Sequence, residues 1–526
     1  MSIPTLQGEQ TSILYLPKEQ NLLIAGSAGT GKSLLAMYKS IYLAVSNPDE
    51  KILLLTFNRA VNNKIKEDCK IVCEYLNQEY PKNLIIDTVY SFSQKMIVDL
   101  AEHIKEEGYT TPTAKNILQF LKVERKDTIP ALMPAKKEEL IAQAVQKASE
   151  KYSDMAIFKR SSDTYIEEVS WIERWDIANF ETYKAADRVG RRKHRIRRDD
   201  REYIWEIYQS YLQLMESSDI NRLYSFDSIY RYLNQFLNEY RECALNEKNS
   251  KYQLYKYIII DEFQDLTPSM ANLVKTLITC KNDQSLENQS KYILIGDVAQ
   301  SVFGKRMTWT EMGFNTHARH TLSQNYRNSY QIATYAEKIA ESRYFDKKNE
   351  NYVAPDIREI YIEKPYLLRY ENINTEIKEI CELAVKRMET GTVGIIVPGK
   401  EIKNLKDHLK SSNIQFEGFT QANSSSKLQI GTIKQVKGLE FDTVILPLKS
   451  KEQYVKELGS QGVVWETDSD IENPPENAVE TLELFITNLY VEVTRARSGL
   501  IISYSGEESP ILPESSDVNF VDRRSE

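Results

Sequence analysis

The sequence predicts an α/β protein with two parallel sheets and an inserted helical subdomain. Short apolar runs such as Leu22–Ala25, Ile52–Leu55 and Tyr257–Ile260 alternate with segments of helical periodicity. Continuous apolar strands are typical of parallel sheets, because helices cover both faces of such sheets. From about 101 to 225 the strand runs disappear and apolar residues recur at helical spacing, which indicates a helical insertion.

The segment Gly26–Ser33 lies directly between the first apolar run and a helical run. Its order, Gly-Ser-Ala-Gly-Thr-Gly-Lys-Ser, has the spacing of a P-loop. Glycines let the backbone wrap a phosphate, and the helix N-terminus offers free N–H groups and the positive end of its dipole. We therefore predict binding of a nucleoside triphosphate, with Lys32 on the β- and γ-phosphates and Ser33 on Mg²⁺. The other loop residues predicted to contact the nucleotide are Gly26, Ser27, Ala28, Gly29, Thr30 and Gly31.

Acidic residues follow a second apolar strand and complete the predicted site. Asp261 and Glu262 come directly after Tyr257–Ile260. We predict that Asp261 holds Mg²⁺ and that Glu262 polarises the attacking water. Gln300 follows another apolar strand, Tyr292–Ile295, and is placed to sense the γ-phosphate.

Length and charge restrict the possible partners. A chain of 526 residues is too long for one hydrophobic core, and its net charge is −8. Nucleic-acid contacts must therefore come from local basic patches. The run 188–198 is such a patch, and we predict contacts to the phosphate backbone from Arg191, Arg192, Arg195 and Arg197. The alternative is an ordinary solvated surface.

Targeting features and cysteine usage predict a cytoplasmic protein without a membrane partner. No apolar run reaches the length of a membrane span, and the first ten residues lack a signal-peptide core. The five cysteines are scattered and lack the spacing of a zinc site.

The motifs together resemble the UvrD/Rep family of superfamily 1 helicases. After the P-loop come Asp-Glu-Phe-Gln-Asp at 261–265, Asn-Tyr-Arg at 325–327, Lys-Gly-Leu-Glu-Phe at 437–441 and Val-Thr-Arg-Ala at 493–496. The resemblance covers nearly the whole chain outside 100–225. It implies two RecA-like motor domains that use ATP and Mg²⁺ to move 3′ to 5′ on single-stranded DNA. The sequence does not exclude RNA.

The resemblance also implies roles for residues around the nucleotide. Gln10 would hydrogen-bond the adenine edge, Tyr326 would stack on the adenine and Glu440 would contact the ribose. Arg327 and Arg495 would act as arginine fingers. Residues of the second domain can reach phosphates held by the first only if the two sheets face each other across the nucleotide.

The resemblance extends to the predicted track for a single strand. Phe57 and Phe303 match aromatic positions on that track, where stacking serves any base. We add Arg306, three residues after Phe303, as a further contact. The sequence departs from the family at Leu34, where an arginine often covers the adenine, and at Lys434, where a histidine is common.

The periodicity and composition of the chain, together with the resemblance, predict the domain boundaries. Residues 1–100 and 226–320 form RecA-like domain 1A, 101–225 the inserted subdomain 1B, 321–505 domain 2A and 506–526 a disordered tail. The interval from Arg327 to Thr432 is too short for the second helical insertion, 2B, that full-length members carry.

Two alternatives to a complete helicase remain open. The chain could be a non-unwinding ATPase that drives a larger nuclease, repair or defence complex, with a nuclease or another protein as partner. It could also be a nucleotide-sensing interaction module. The presence of Glu262, Gln300, Arg327 and Arg495 argues against the sensing module, because hydrolysis needs these groups.

Overall fold

Two parallel sheets, of six and seven strands, organise the protein, and this confirms the predicted α/β class. The computed structural model describes residues 5–108, 134–152, 155–186, 196–217, 224–244, 255–278, 290–300, 309–310, 312–316, 318–347, 352–399, 401–419, 426–459, 474, 476–513 and 518–524. No helix in these ranges is long and apolar enough to cross a membrane.

The first sheet unites the strands on either side of the helical insertion. Its strands are β1 (Leu22–Gly26), β2 (Ile52–Thr56), β3 (Leu84–Thr88), β4 (Tyr257–Asp261), β5 (Lys291–Gly296) and β6 (Ala318–Leu322). Their order is β3-β2-β4-β5-β1-β6, and all pairs are parallel. The carboxyl ends therefore share one edge, which brings the P-loop after β1 next to the acids after β4. The sheet ends at Leu322, just beyond the boundary predicted at 320.

Helices cover the sheets and form the insertion. In chain order they are α1 (Glu9–Leu14), α2 (Lys32–Ser46), α3 (Arg59–Tyr75), α4 (Val89–Glu107), α5 (Pro134–Lys151), α6 (Ser162–Arg174), α7 (Phe180–Ala185), α8 (Arg201–Ser217), α9 (Ile229–Ala244), α10 (Pro268–Ile278), α11 (Tyr330–Ala340), α12 (Ile373–Met388), α13 (Ile402–Ser411), α14 (Ile433–Val436), α15 (Lys451–Gly459) and α16 (Glu476–Val493).

Alternating side chains of the central strands supply two cores. In β4, Ile258 and Ile260 face one cluster with residues of α4, α9 and α10. Tyr257 and Ile259 face the other cluster, with residues of α2 and α3. This period of two explains why each strand is apolar along its whole length.

The insertion has a core of its own. Aromatic residues of α6 to α8, among them Trp171, Tyr183 and Tyr211, pack with Leu140 and Ile141 of α5. The flanking helices α4 and α9 instead pack under the first sheet. Thr88 caps the start of α4 by accepting from Ser91 N at 3.1 Å, and the helix continues past the boundary predicted at 100.

The second sheet is also parallel and has helices on both faces. Its strands are β9 (Tyr366–Tyr370), β10 (Val393–Ile396), β11 (Glu417–Gly418), β12 (Leu428–Gly431), β13 (Phe441–Leu446), β14 (Ala496–Ser505) and β15 (Asn519–Asp522), in the order β11-β12-β10-β13-β14-β9-β15. A separate small pair joins β7 (Gln324–Asn325) to β8 (Asp356–Ile357).

The prediction of a disordered tail at 506–526 is wrong for its described residues, 506–513 and 518–524. Strand β15 pairs in parallel with β9, and Asn519 N donates to Pro365 O at 2.7 Å. Ile511, Leu512 and Val518 are buried in the core of the second domain. The prediction rested on the polar composition of the tail, in which these few apolar residues carry little weight. The open edge of β9 supplies the backbone partners.

A candidate nucleotide site between the two sheets

The P-loop between β1 and α2 has the conformation that its glycines allow. Gly29 and Gly31 have φ of 76° and 73°, in the left-handed region where a side chain would be strained. Thr30 Oγ1 donates to Ser27 O at 3.0 Å and holds the turn closed. The free N–H groups of α2 therefore point into the cleft, together with the positive end of its dipole.

Lys32, the first residue of α2, is buried inside this loop. Its ammonium donates to Gly26 O at 3.1 Å and to Ser27 O at 2.7 Å, and it lies 3.7 Å from Asp297 Oδ2. Burial lowers its pKa, although Asp297 and Glu262 oppose that shift. The lysine is thus held at the position from which it can reach phosphates.

Asp261, at the end of β4, offers an unused carboxylate oxygen beside Ser33. Its Oδ1 accepts from Glu262 N at 3.1 Å, whereas the buried Oδ2 has no hydrogen-bond partner. Burial raises the pKa of Asp261, and a hydrogen bond from Ser33 opposes the shift. A hydroxyl and an unpartnered buried carboxylate oxygen fit the oxygen ligands that Mg²⁺ prefers.

Glu262 has a strained backbone next to this pair. Its φ of 58° is rare for a residue with a side chain, and such strain is often found at functional sites. Burial alone would raise its pKa, but Lys437, Lys32 and Arg495 together lower it. The Glu262 carboxylate is therefore kept ionised, as a proton acceptor must be.

A second layer of side chains lies behind the acids and consists of Gln264, Asp297 and Gln300. The sequence predicted only part of this layer. The Gln264 amide donates to Glu262 Oε2 and accepts from Asp297 N at 3.0 Å. Asp297 in turn accepts from Gln300 Nε2 at 2.7 Å. Gln300 was predicted, whereas Gln264 and Asp297 were missed. Their position at strand ends beside predicted site residues was the signal that could have found them.

Arg495 connects the second domain to this layer. It lies in the turn between α16 and β14, is 1% exposed, and its Nη2 donates to Gln300 Oε1 at 2.6 Å. Its Nε donates to Val491 O at 3.0 Å, which fixes the side chain. Burial and the neighbouring Arg327 lower the pKa of Arg495 to about 10.

Arg327 follows β7, and its Nη1 donates to Thr494 O at 3.4 Å, next to Arg495. Its Nε donates to Glu440 Oε2 at 2.7 Å, and Arg497 and Lys64 also pair with Glu440. Burial would raise the pKa of Glu440, but Arg327, Lys64 and Arg497 lower it well below its ordinary value. Lys64 belongs to the first domain, so this cluster also crosses the cleft.

Lys437 is a further residue of the second domain that the sequence analysis did not single out. Its buried ammonium donates to Asp265 Oδ1 at 2.7 Å and to Gln300 O at 2.6 Å. Both partners belong to the first domain. The motifs at 261–265 and 437–441 contain these residues, but their pairing across the chain is visible only in the structure.

A cavity of about 670 Å³ lies between the two domains, and its lining includes Lys32, Glu262, Gln300, Arg327 and Arg495. Tyr326, Gln10 and Leu34 also line it. Gln10 is buried, its Nε2 donates to Thr30 O at 2.7 Å, and its Oε1 accepts from Gln7 N at 2.9 Å. The Arg358 guanidinium lies 5.5 Å from the centre of the Tyr326 ring, on the small β7–β8 pair. Charged side chains such as Lys32 and Glu262 and the aromatic ring of Tyr326 thus line the same cavity.

The structure describes part of the predicted nucleic-acid contacts. Phe57 follows β2 and is partly buried against the first core. Phe226, which was not predicted, is 43% exposed, and its ring centre lies 4.7 Å from that of Tyr90. Arg197 is exposed beside the short helix Arg198–Asp200. The other predicted contacts lie outside the described residues: Phe303, Arg306, and the basic residues Arg191, Arg192 and Arg195.

Two parallel sheets that face each other across a P-loop, with arginines from the second reaching the first, define a P-loop nucleotide-binding protein with two RecA-like domains. A family model of the UvrD/REP helicase N-terminal domain matches residues 6–320. A model of the UvrD-like helicase C-terminal domain matches residues 404–507. The chain therefore belongs to the UvrD/Rep helicase family, which confirms the resemblance found in the sequence.

Individual relatives are distant. A probable DNA helicase II homolog of Mycoplasma capricolum subsp. capricolum is 22% identical over 357 residues, which cover 66% of this chain and 42% of that protein. The chain thus spans less than half of that relative's length. The C-terminal domain of a possible DNA helicase from Lactobacillus plantarum WCFS1 is 18% identical, with 37% of this chain and 98% of that one covered. Its TM-score of 0.26 supports no structural argument.

Proposed function

We propose that this chain is an ATPase that single-stranded DNA stimulates and that moves 3′ to 5′ along the strand. The direction and the choice of DNA rest on family membership, and RNA stays a possible substrate. Family membership and the scattered cysteines also favour the cytoplasm as the place of action.

The observation that carries the proposal is the contact of Arg495 Nη2 with Gln300 Oε1 at 2.6 Å. Gln300 in turn donates to Asp297, which lies 3.7 Å from the Lys32 ammonium, so two side chains link this cation of the second domain to the P-loop lysine. An arginine supplied from a second domain stabilises charge that develops on a transferred phosphoryl group. Such an arrangement serves hydrolysis, whereas a module that only senses nucleotide does not need it.

In the proposed reaction Glu262 accepts a proton from the attacking water, and Lys32 holds the β- and γ-phosphates. Arg327 leaves Glu440 and, with Arg495, faces the phosphoryl group in the closed cleft. Ser33 and Asp261 would hold Mg²⁺, which when bound offsets the negative charge of the phosphates. Closing and opening of the cleft would move the domains relative to each other along the strand.

The polymer would bind across the carboxyl-edge loops of the first domain. Phe57 and the exposed Phe226–Tyr90 pair offer aromatic rings on which bases can stack, which is worth about 1–3 kcal/mol per base. The basic run 188–198 would add phosphate contacts.

The first test measures ATP hydrolysis with no polymer, with single-stranded DNA and with single-stranded RNA. We expect DNA to raise kcat, and Glu262→Gln to abolish turnover while ATP still binds. Hydrolysis by Glu262→Gln near the wild-type rate would remove this residue from the proposed role. A wild type that binds ATP without hydrolysis would favour the sensing module.

A motor that does not unwind on its own is the second candidate. Between Arg327 and Thr432 the described residues form β8, β9, β10, β11, β12 and helices α11 to α13, all within or beside the second sheet. The intervening gaps in the described part, 348–351, 400 and 420–425, are too short for another subdomain. Opening a duplex costs roughly 1.4 kcal/mol per base-pair step and needs a surface that captures the opened strands.

The two candidates differ in a stopped-flow comparison of translocation on a labelled strand with unwinding of a 3′-tailed duplex. If the second candidate holds, the purified chain translocates but separates few base pairs. Processive unwinding of a duplex of several tens of base pairs by the chain alone would exclude it. In that case the helical insertion must supply the strand-separating surface.

A further inference from the structure

Asn58 lies between Phe57, which is predicted to contact the nucleic-acid strand, and a segment of the second domain. It directly follows Phe57 and is the N-cap of α3, where its Oδ1 accepts from Ala60 N at 2.8 Å. Its Nδ2 donates to two backbone carbonyls of the second domain, Gln435 O at 3.0 Å and Lys437 O at 2.9 Å. The oxygen of the Asn58 amide therefore caps its own helix, whereas its nitrogen binds the second domain across the cleft.

Lys437, whose backbone carbonyl accepts from Asn58, also has a side chain that contacts the first domain. The Lys437 side chain donates to Asp265 Oδ1 and to Gln300 O, at 2.7 and 2.6 Å. Gln300 in turn accepts from Arg495. Hydrogen bonds thus connect the residue after Phe57 to Arg495 through Lys437 of the second domain and Gln300 of the first.

We propose that Asn58 is a positioning residue that couples occupation of the strand track at Phe57 to assembly of the ATP-hydrolysing groups. The inference rests on the proposed function. It concerns neither nucleotide binding nor strand binding, because Asn58 does not line the cavity and its amide is satisfied within the protein.

The physical reason is that these hydrogen bonds join different domains. A movement that separates the domains at this point would break them, so they favour the closed state over an open one. A base stacked on Phe57 restrains the adjacent backbone and so pre-orients the Asn58 amide. Two neutral hydrogen bonds correspond to about a 10- to 100-fold change in the closed-to-open ratio.

The competing explanation is that Asn58 only caps α3. Substitutions that keep the capping oxygen and remove the amide N–H₂ distinguish the two explanations. Aspartate and serine cap helices about as well as asparagine, because each offers an oxygen to the N–H groups of the first turn. Neither of them carries the amide N–H₂ that reaches Gln435 and Lys437. Asn58→Asp and Asn58→Ser therefore keep the cap and remove the contacts across the cleft.

The matched control is Asn372→Asp. Asn372 caps α12 in the same way, by accepting from Thr375 N at 3.0 Å, and it is exposed on the second domain. The experiment compares the wild type with Asn58→Asp, Asn58→Ser and Asn372→Asp. For each protein it measures Tm, kcat and KM for ATP with and without oligothymidylate, and the Kd for labelled oligothymidylate without nucleotide.

We expect both Asn58 variants to keep the wild-type Tm and Kd for the oligonucleotide, while their stimulated kcat falls about tenfold or more and the ratio of stimulated to basal kcat falls clearly below that of the wild type. The Asn372 variant should match the wild type throughout. Stimulation that survives in both Asn58 variants would overturn the inference while leaving the proposed function intact. A fall in Asn58→Asp alone would also overturn it, because repulsion by the new charge would then be the cause. A wild type that no polymer stimulates would refute the proposed function, and the inference with it.

Discussion

At the scale of single residues, the cations of the second domain differ in how firmly they are held. Arg495 is fixed by hydrogen bonds to Val491 O and Gln300 Oε1, and it has almost no contact with solvent. Arg327 is held by a carboxylate, Glu440, from which phosphate can draw it away. In the proposed reaction Arg495 is therefore already in place, whereas Arg327 has to leave Glu440 before it can contact phosphate.

Removing either arginine should slow hydrolysis without unfolding the chain. We expect Arg327→Ala and Arg495→Ala each to lower kcat by about 10³-fold or more, because each removes positive charge from the developing transition state. Arg495→Lys should not rescue activity, since a lysine lacks the planar fork that reaches Gln300 and Val491 together. Steady-state kinetics with circular dichroism as a folding check measure this.

Arg497→Ala is the matched control for these variants. Arg497 also pairs with Glu440, but its side chain is 46% exposed at the edge of the cleft. A decrease in kcat as large as that of Arg495→Ala would mean that general electrostatics, and not the position of the arginine, determines the rate.

At the scale of elements, a network around a buried ion pair of the insertion connects the insertion to the first domain. Lys137 of α5 pairs with Glu173 of α6 at 2.7 Å and with Asp227 at 3.3 Å, and Glu173 accepts from Ser225 Oγ at 2.8 Å. The segment with Ser225 and Asp227 leads directly into α9, which packs under the first sheet. The network therefore lies where the insertion returns to domain 1A.

Breaking one side of this pair should be more harmful than removing both sides. Lys137→Met leaves the Glu173 carboxylate buried without its cation, which costs about 3–5 kcal/mol. Lys137→Met combined with Glu173→Met replaces the pair by apolar side chains and should recover much of that stability. Differential scanning calorimetry should give the lowest Tm for the single variant. Equal Tm values for the single and double variants would show that the pair does not act as a unit.

The basic run 188–198 is a second element with a testable role. Replacing Arg191, Arg192, Arg195 and Arg197 with Ala should weaken binding of single strands of any sequence. It should also reduce the slope of log K against log salt by about 0.7 for each phosphate that the protein no longer neutralises. Basal hydrolysis should persist, because the run is not expected to touch nucleotide.

The control for the basic run removes four exposed lysines from helices of the second domain: Lys378, Lys386, Lys403 and Lys410. Fluorescence titrations between about 50 and 300 mM salt supply the slopes, because the screening of surface charges changes strongly over that range. If both quadruple variants change the slope equally, net charge explains the effect and the run has no specific role.

At the scale of the whole molecule, buried tyrosines predict the response to alkaline pH. Burial raises the pKa of Tyr224, Tyr255 and Tyr292 to about 12. In the unfolded chain a tyrosine ionises near pH 10, so between about pH 10 and 12 only the unfolded state loses these protons. The stability that these tyrosines contribute is therefore full below about pH 10 and declines as the pH rises towards 12.

The measurement is Tm as a function of pH, with tyrosinate absorbance recorded in the same samples. Burial lowers the pKa of Lys39 to about 8, so the contribution of Lys39 to stability changes with pH in the opposite direction. It is a single group, whereas several tyrosines contribute. A Tm that stays constant from about pH 9 to 11.5 would contradict the prediction. Ionisation of all tyrosines before any unfolding would contradict it as well.

The local part of the site was predictable from the sequence. Short contiguous segments form the P-loop, the acids after β4 and the strands around them. In such segments glycine spacing and apolar runs predict the local structure directly. Family resemblance added Arg327, Arg495 and Glu440 as cleft residues, and the cavity between the sheets is lined by all of them.

Contacts between distant segments were decided only by the tertiary structure. The pairing of Lys437 with Asp265, of Asn58 with Gln435, and of the C-terminal strand with β9 each joins residues that no local pattern relates. A lysine or an asparagine has the same local preferences whether it faces solvent or another domain. Its partner is set by how the sheets pack, because burial makes an unpaired polar group costly and so selects the arrangement that pairs it. The sequence by itself thus determined which site motifs this protein carries, and the packing of its domains determined which residues of the two domains meet around them.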